Sequence, residues 1–335
     1  MRLRIAFGVA AAFLAVAMLA SAFVGAADLN PLATAAALLH LPTSLDPLDK
    51  AVLFQIRLPR VVLGALVGAL LSLAGAGYQG VFRNPLVDAG MLGASAGAGL
   101  GATVAIVFLS AAGQEAVPVA AFAGSLAGVA AAYTTGTAAS RHTVLGGVAT
   151  LLLAGVAVGS FLTAVQTFLL QRSAPDIQAV YSWLLGSLSA ATWQQVTMIA
   201  PYAAVSSIII LLHGRHLDVL SVGDEEAQAL GLRPGRVRAV VVAASALAAA
   251  SAVAVSGLIG FVGIVMPHVA RRLAGPSYVS VLPLSALLGA GFLVLADTLA
   301  RTVISPAELP IGVVTALVGA PAFVWVLRGT SHVST

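Results

Sequence analysis

Apolar runs of about twenty residues recur along almost the whole of this sequence, separated by short polar connections. An α-helix of about twenty residues crosses the hydrocarbon core of a bilayer, where every backbone N–H and C=O must be paired. Only 8% of the 335 residues are charged, whereas soluble domains carry roughly 25%. The sequence therefore predicts an all-α membrane protein with a single transmembrane domain over residues 1–335.

The apolar pattern predicts about ten transmembrane helices. The first run has a basic start and small residues near its end, as a signal peptide does, but its length suffices for a span. The run at 257–273 is short and interrupted by glycine and proline, so a broken or re-entrant helix is the alternative there. The predicted spans are 5–27, 61–81, 89–112, 116–140, 144–170, 193–212, 237–256, 257–273, 279–299 and 309–327.

The positive charges indicate how these spans are oriented. With ten spans and the N-terminus inside, eleven of the sixteen Lys and Arg residues fall on the inner side. Cytoplasmic loops of membrane proteins carry an excess of Lys and Arg. We therefore expect both termini and the loop 213–238 in the cytoplasm. The five outer cations are Lys50, Arg57, Arg60, Arg172 and Arg301.

Glycines repeat at four-residue spacing inside several spans. Gly93, Gly97 and Gly101 form one such row, and pairs with the same spacing are Gly64/Gly68, Gly124/Gly128 and Gly155/Gly159. Small residues on one helix face let two backbones approach closely, as packing in membranes requires. The spacing predicts a tightly packed bundle and carries no information about a substrate.

The longest strongly polar segment of the chain is the loop 213–238. Within it, Asp224 is placed to cap a short helix over 225–230, with Glu225 and Glu226 near the positive end of its dipole. A short acidic helix between two spans suits contact with a partner protein. A solvated loop that merely joins two spans is the alternative.

Residues for enzymatic or ion-driven chemistry are absent from the sequence. Lys50 is the only lysine, and no Gly-Lys-Ser/Thr phosphate loop occurs, so the chain is not a P-loop ATPase. No span carries a row of carboxylates or histidines. Asp297 lies within a span four residues before Arg301, and a structural ion pair is the simplest interpretation. We expect no catalytic residue, metal or cofactor in this chain, and the energy for transport must come from another chain.

A series of motifs resembles the FecCD family of ABC importer permeases, which serve iron–siderophore, haem and vitamin B12 uptake. The resemblance extends from about residue 50 to residue 327, in the family order. The motifs are QIRLPR (55–60), GYQGVFRNPLVDAGMLGASAGAGLGA (77–102), LLLAGVAVG (151–159), WLLGSLSAATW (183–193), GDEEAQALGL (223–232), GFVGIVMPHVARRLAG (260–275), LADTLAR (295–301) and ELPIGVVTALVGAPAFVWVL (308–327).

This resemblance implies the dimeric permease of a type II ABC importer in a bacterial cytoplasmic (inner) membrane. Two permease subunits, alike or different, would enclose the path with about ten helices each. Two cytoplasmic subunits would bind ATP and Mg²⁺, and a periplasmic or lipid-anchored protein would deliver the substrate. An iron–siderophore complex is the expected cargo, with haem or cobalamin as alternatives. A motor-free secondary transporter is the alternative from another class.

The resemblance also implies a docking surface for the binding protein on the outer face. The matching residues are Arg57 and Arg60 of the RLPR motif and Arg301 after the ninth span, with Lys50 as a further candidate. These cations would pair with glutamates of the binding protein. Such exposed ion pairs act on encounter rate and register more than on affinity. The alternative is that the RLPR motif only anchors a helix end at the membrane interface.

Two cytoplasmic elements follow from the same resemblance. Asn84, Pro85 and Leu86 match the family's NPL turn and are expected to form part of the inner gate. The loop 213–238 corresponds to the coupling helices that contact the ATPase. The residues expected in that contact are Asp224, Glu225, Glu226, Ala227, Gln228, Leu230, Gly231 and Arg233.

Overall fold

The computed structural model describes residues 1–25, 29–109, 113, 115–140 and 147–330. Parts of three predicted spans, at 26–27, 110–112 and 144–146, lie outside the described residues, as does Arg141 of the predicted inner side. The described residues form a bundle of α-helices, which confirms the predicted fold class.

The helices follow one another with short connections. A π-helical turn (Val52–Arg57) leads into α4, and a 3-10 turn (Ala174–Asp176) leads into α8. In chain order the α-helices are α1 (Arg2–Phe23), α2 (Pro31–Leu38), α3 (Pro47–Ala51), α4 (Leu58–Phe82), α5 (Ala94–Phe108), α6 (Ala116–Ala139), α7 (Gly147–Arg172), α8 (Ile177–Leu184), α9 (Trp193–Leu212), α10 (Gly214–Val222), α11 (Asp224–Ala229), α12 (Pro234–Ser256), α13 (Val262–Ala274), α14 (Tyr278–Thr302) and α15 (Ile311–Thr330).

Seven helical segments in the described ranges are long and apolar enough to cross a membrane, namely α1, α6, α7, α9, α12, α14 and the segment 47–82 that contains α4. The helix α9 coincides with the predicted span 193–212. Shorter apolar helices, among them α5 and α15, complete the bundle. The predicted count of about ten helices is therefore consistent with the structure.

Two predicted spans differ from the observed helices. The span 257–273 begins with a non-helical stretch, and α13 has only 13 residues. Such a helix is about 20 Å long, shorter than a bilayer core of about 30 Å. The span 89–112 becomes helical only at Ala94, because residues 83–93 form a series of turns. Pro85 lacks the N–H that would continue α4, and Gly93 takes a positive φ of 82°.

Close backbone contacts between helices confirm the packing predicted from the glycine rows. A Cβ atom added at Gly97 of α5 would lie 2.1 Å from the carbonyl oxygen of Gly124 in α6. A Cβ atom at Gly68 of α4 would lie 2.2 Å from the carbonyl oxygen of Gly289 in α14. No side chain fits in either space, so the glycines permit these helix pairs to touch.

The bundle has a buried centre and two distinct ends. In the most apolar stretch of α12, 78% of the residues are buried, and the same share is buried in the segment that contains α4. In α7 only 22% of the residues of that stretch are buried. We call one end the α2–α3 end, where α4 begins and α14 finishes. We call the other the α10–α11 end, where α4 finishes and α14 begins.

Candidate functional site

A buried ionic cluster at the α2–α3 end joins α4 to α14. The Arg60 guanidinium donates hydrogen bonds to both carboxylate oxygens of Asp297 at 2.9–3.1 Å. It also donates to both oxygens of Glu308 at 2.8 and 2.9 Å. The side chains of Arg60 and Asp297 are only 8% and 3% exposed. One planar guanidinium thus satisfies two carboxylates bidentately, the strongest geometry for such groups.

Two further arginines hold the end of α1 against this cluster. Arg301 donates to the carbonyl oxygen of Ser21 at 2.5 Å and to its hydroxyl at 2.6 Å. Arg57 donates to the carbonyl oxygens of residues 22 and 23 at 3.1 and 3.0 Å. The last carbonyls of a helix lack partners within the helix and carry its negative dipole end. Both arginines therefore cap α1.

The predicted docking residues consequently differ in their surroundings. Arg57, Arg60 and Arg301 are buried and have partners within their own chain. Lys50, on α3, is exposed. Docking at these four residues stays a prediction, and engagement of the arginines would require their internal bonds to open.

The predicted ion pair of Asp297 with Arg301 is present but long, at 3.9 Å. Sequence reasoning missed Arg60 as the principal partner, since 237 residues separate it from Asp297. Glu308 was missed as the second carboxylate of the cluster. It lies in the connection between α14 and α15, outside the spans, and the hydrogen bond from Arg60 holds the pKa of its carboxyl below the ordinary value.

At the α10–α11 end, α4 leads into the predicted gate turn. The Asn84 side-chain oxygen accepts a hydrogen bond from the backbone N–H of Leu86 at 2.9 Å, which forms a local Asx turn. The Leu86 side chain is 44% exposed. Gln79 donates to the carbonyl oxygens of Val87 and Gly263 at 3.2 and 2.9 Å, so the loop folds back along α4 towards α13. The assignment of Asn84, Pro85 and Leu86 to a gate stays a prediction.

The loop 213–238 is mostly helical. It contains α10, which sequence reasoning missed, and α11, which matches the predicted helix 225–230 within one residue at each end. The predicted cap is wrong, because Gly223 is the N-cap residue and no side chain caps the helix. Asp224 is instead engaged by two arginines, and the hydrogen bond from one of them, Arg238, lowers the pKa of its carboxyl.

Most of the residues expected to contact an ATPase are exposed. Ala227 differs from the others, since it is fully buried within its own chain. Asp224 is half-buried and paired within the chain. The contact itself stays a prediction. The exposed members of the set are Glu225, Glu226, Gln228, Leu230, Gly231 and Arg233.

Two clefts with mostly apolar linings and a few polar side chains lie along the bundle. A cleft of about 810 Å³ lies between α5 and α7, and its lining includes Ser95, Ser160, Thr163, Gln166 and Thr167. A second cleft of about 520 Å³ lies between α6, α8, α9 and α12. Sequence reasoning did not single out these polar residues, because they are neutral and scattered through predominantly apolar spans. Their spacing of three and four residues along α7 was the available signal, since it places them on one helix face.

Comparison with known proteins gives the family. A model of the FecCD transport family matches residues 13–329. The ABC transporter permease protein YvrB of Bacillus subtilis is 44% identical over 287 residues, covering 84% of this chain and 80% of that protein. The cobalamin import system permease protein BtuC of Halobacterium salinarum is 43% identical over 273 residues, covering 82% and 72%. The Fe(3+)-citrate import system permease protein YfmE of Bacillus subtilis is 37% identical over 305 residues, covering 91% and 89%.

A solved structure shares the fold over almost the whole chain. It shows a metal-chelate type ABC transporter in an inward-facing conformation, with a TM-score of 0.82 and 30% sequence identity. The alignment covers 97% of this chain and 99% of that one. Together with the family match and the membrane-spanning helices, this similarity identifies a multi-pass membrane permease. The chain belongs to the FecCD transport family.

Proposed function

We propose that this chain is the permease subunit of a type II ABC importer that moves an iron–siderophore complex into the cytoplasm. Separate ATPase subunits supply the energy, a substrate-binding protein delivers the cargo, and a second permease subunit completes the path. The membrane is the bacterial cytoplasmic membrane, with both termini and the α10–α11 end in the cytoplasm. The observation that carries this proposal is the exposed face of α11.

The exposed face of α11 supports a contact with another protein. Glu225 and Glu226 lie at its N-terminal end. Val222, the last residue of α10, and Leu230, which follows α11, are 70% and 71% exposed. A short helix with an acidic tip that is flanked by two exposed apolar side chains suits a groove on a partner, in which the apolar side chains are buried and the charges set the orientation.

The cleft between α5 and α7 offers a cargo a mostly apolar lining with a row of polar side chains. Its serine, threonine and glutamine side chains offer neutral hydrogen-bond donors and acceptors. A siderophore encloses its iron in its own ligands, so the permease needs only weak contacts with the periphery of the complex. Cobalamin is a second candidate, since it carries many amide groups and the chain is 43% identical to a cobalamin permease. Haem is a further candidate, because the apolar part of the lining suits its planar, largely apolar ring.

The substrate-binding protein docks at the α2–α3 end in this proposal. Lys50 is an exposed cation there, whereas Arg57, Arg60 and Arg301 are buried. Acidic side chains of a binding protein would meet Lys50 first, and this attraction would act mainly on the association rate.

The test is ATP hydrolysis and uptake by the purified complex in lipid vesicles. The binding protein is supplied empty or loaded with a ferric siderophore, haem or cobalamin. We expect the ferric siderophore to give the largest stimulation and to accumulate inside the vesicles. If only cobalamin or only haem stimulates hydrolysis, that compound is the cargo, and the assignment as an ABC importer permease is kept. If no ATPase subunit copurifies and uptake does not depend on ATP, the importer proposal is wrong and a motor-free transporter takes its place.

A matched pair of variants tests the α11 contact. Leu230→Ala shortens the exposed side chain at the end of α11, and Leu212→Ala does the same at the end of α9, where the leucine is 70% exposed. We expect Leu230→Ala to weaken binding of the ATPase subunit and Leu212→Ala to leave it unchanged. Equal effects would contradict the contact. Replacement of residues 225–230 by a flexible linker should abolish uptake while the permease stays folded in the membrane.

A further inference from the structure

An ionic link connects α11 to the gate turn. Arg83 ends α4 in a left-handed conformation with φ of 48° and directly precedes Asn84. Asp224 is the first residue of α11, and Arg238 lies in the first turns of α12. One carboxylate oxygen of Asp224 accepts hydrogen bonds from Arg83 and, at 2.5 Å, from Arg238. A single carboxylate thus joins the end of α4, the start of α11 and α12.

This link is ionic and has space around it. Among the described residues, Asp224 makes the only side-chain hydrogen bonds that connect α11 to α4 and α12. A cleft of about 600 Å³ opens beside it, and its lining includes Arg83, Asn84 and Asp224 together with Val148 and Leu152 of α7. Because the gate turn is not packed tightly against α11, the ion pair is the direct connection between the two elements.

The exposure of the side chains shows which of the two bonds can open. The Arg83 and Asp224 side chains are 34% and 40% exposed, whereas Arg238 is only 16% exposed. Water can solvate Arg83 when the carboxylate moves away from it, so opening the Arg83–Asp224 bond carries no large desolvation penalty, while the mostly buried Arg238 keeps its bond. The closed and the open bond are the two arrangements that a switching element requires.

We propose that Asp224 is a positioning residue that transmits movement of α11 to the Asn84–Leu86 turn through Arg83. The inference rests on the proposed function, in which an ATPase moves α11. When α11 shifts relative to α4, the carboxylate, still held by Arg238, draws Arg83 with it or releases it to water, and this displaces the first residue of the gate turn. The permease then couples nucleotide state to its inner opening through one side chain.

The experiment uses the permease–ATPase complex in lipid, with Asp224→Asn, Arg83→Gln, the double variant of both, and Arg83→Lys. The chain has no cysteine, so Leu86→Cys adds one unique thiol at the gate turn of the permease. Three quantities are measured: cargo uptake, ATP hydrolysis, and the rate at which a hydrophilic maleimide labels residue 86 with and without trapped ATP. The labelling rate reports gate movement, which a merely structural role of Asp224 would not alter in a folded complex.

We expect Asp224→Asn and Arg83→Gln each to reduce uptake about tenfold while ATP hydrolysis persists. Such a result corresponds to the loss of the coupling free energy between α11 and the gate turn. The effect of ATP on the labelling of residue 86 should disappear in both. The double variant should be no worse than either single variant, because both remove the same link. Arg83→Lys keeps the charge and should retain most of the uptake. Arg4→Gln, which removes an exposed charge at the start of α1, is the control and should leave uptake unchanged.

Three results would overturn the inference. Unchanged uptake and labelling in Asp224→Asn and Arg83→Gln would show that the link transmits nothing. Additive losses in the double variant would show that Asp224 acts on a group other than Arg83. A loss of uptake with the ATP-dependent labelling intact would assign Asp224 to another step. In all three cases the wild-type complex still transports with ATP, whereas failure of the proposed function would abolish ATP-driven uptake in the wild type itself.

Discussion

The two ends of the bundle each carry an acid–base cluster, and the clusters differ in burial. At the α2–α3 end, Arg60 holds two carboxylates, and its side chain is 8% exposed. At the α10–α11 end, two arginines share the carboxylate of Asp224, which is 40% exposed. The groups are chemically the same, yet one cluster is enclosed by helices and the other lies beside an open cleft.

Burial determines which of these clusters can change during transport. Removing a partner from a buried pair leaves an uncompensated charge in a region of low dielectric, which is strongly unfavourable. Water compensates the same loss at a half-exposed pair. We therefore assign the cluster at the α2–α3 end to the fixed structure of the bundle and the cluster at the α10–α11 end to its moving parts.

The largest expected effect is on the stability of the buried cluster. Asp297→Ala removes the main partner of Arg60 and the nearby carboxylate of Arg301, so it should lower the free energy of unfolding by about 3–5 kcal/mol. Thermal unfolding of the purified permease measures this loss. Asp46→Ala, at an exposed carboxylate before α3, is the control and should change stability by less than about 0.5 kcal/mol. Equal unfolding temperatures for the two variants would contradict the comparison.

A smaller effect is expected at the edge of the same cluster. The Glu308 side chain is 36% exposed, so solvent compensates part of the loss in Glu308→Gln. We expect a decrease of about 1 kcal/mol in the free energy of unfolding, after discounting for that exposure. The same unfolding measurement tests it. A loss of unfolding free energy as large as that of Asp297→Ala would contradict this prediction, because it would show that Glu308 is as well shielded from solvent as Asp297.

The lowered pKa of Glu308 predicts how stability depends on pH. Its folded pKa lies below the unfolded value of about 4.3, so its contribution is complete above that value and fades as the pH falls through the folded pKa. Unfolding temperatures of the wild type and Glu308→Gln should therefore differ by a constant amount from about pH 5 to 8 and converge in stronger acid. A difference that shrinks near pH 7 would contradict the assignment.

The half-exposed cluster should contribute little to stability. Asp224→Asn should change the free energy of unfolding by less than about 1 kcal/mol, because water can solvate Arg83 and the asparagine side-chain oxygen can still accept a hydrogen bond from the less exposed Arg238. The same variant is expected to lose most of its uptake, so stability and transport separate at this position. A destabilisation close to that of Asp297→Ala would show that Asp224 stabilises the fold as much as the buried cluster does, which would contradict the comparison.

The smallest structural effect is expected at Lys50. Its side chain is exposed on α3, so Lys50→Ala should leave stability within about 0.5 kcal/mol of the wild type. The association rate of the binding protein should decrease, more at low salt than at high salt, since an exposed charge acts by long-range attraction. Lys50→Arg should preserve the rate. An unchanged rate in Lys50→Ala would remove Lys50 from the docking surface.

Most helices could be predicted from the sequence, and the exceptions have physical causes. The span 193–212 was predicted at its observed bounds because apolar composition and the helical repeat are local properties. The helix α13 was predicted too long because composition does not show where a chain leaves the helical conformation inside a packed bundle. The start of α5 was missed for the same reason, since the turns at 83–93 are held by contacts with α4 and α13.

The positions of the candidate site residues could be predicted from motifs, but their burial and their contacts could not. The acidic helix α11 followed from local residue types, and the turn at Asn84 followed from the family resemblance. The burial of Ala227 did not, because it depends on which face of a two-turn helix meets the bundle. The arginines of the RLPR motif were expected at an outer surface, yet their side chains turn inward towards α1 and α14.

The sequence by itself determined that this chain is an all-α membrane bundle with the motifs of one transport family. Lipid excludes unpaired backbone groups, so long apolar runs leave the chain little choice but helices. Only the tertiary structure decided which charges meet. Arg60 and Asp297 are 237 residues apart, and Arg83 and Asp224 are 141 residues apart. Such pairs form only when packed helices bring distant segments together, and their burial, which separates a fixed cluster from a movable one, exists only in the folded bundle.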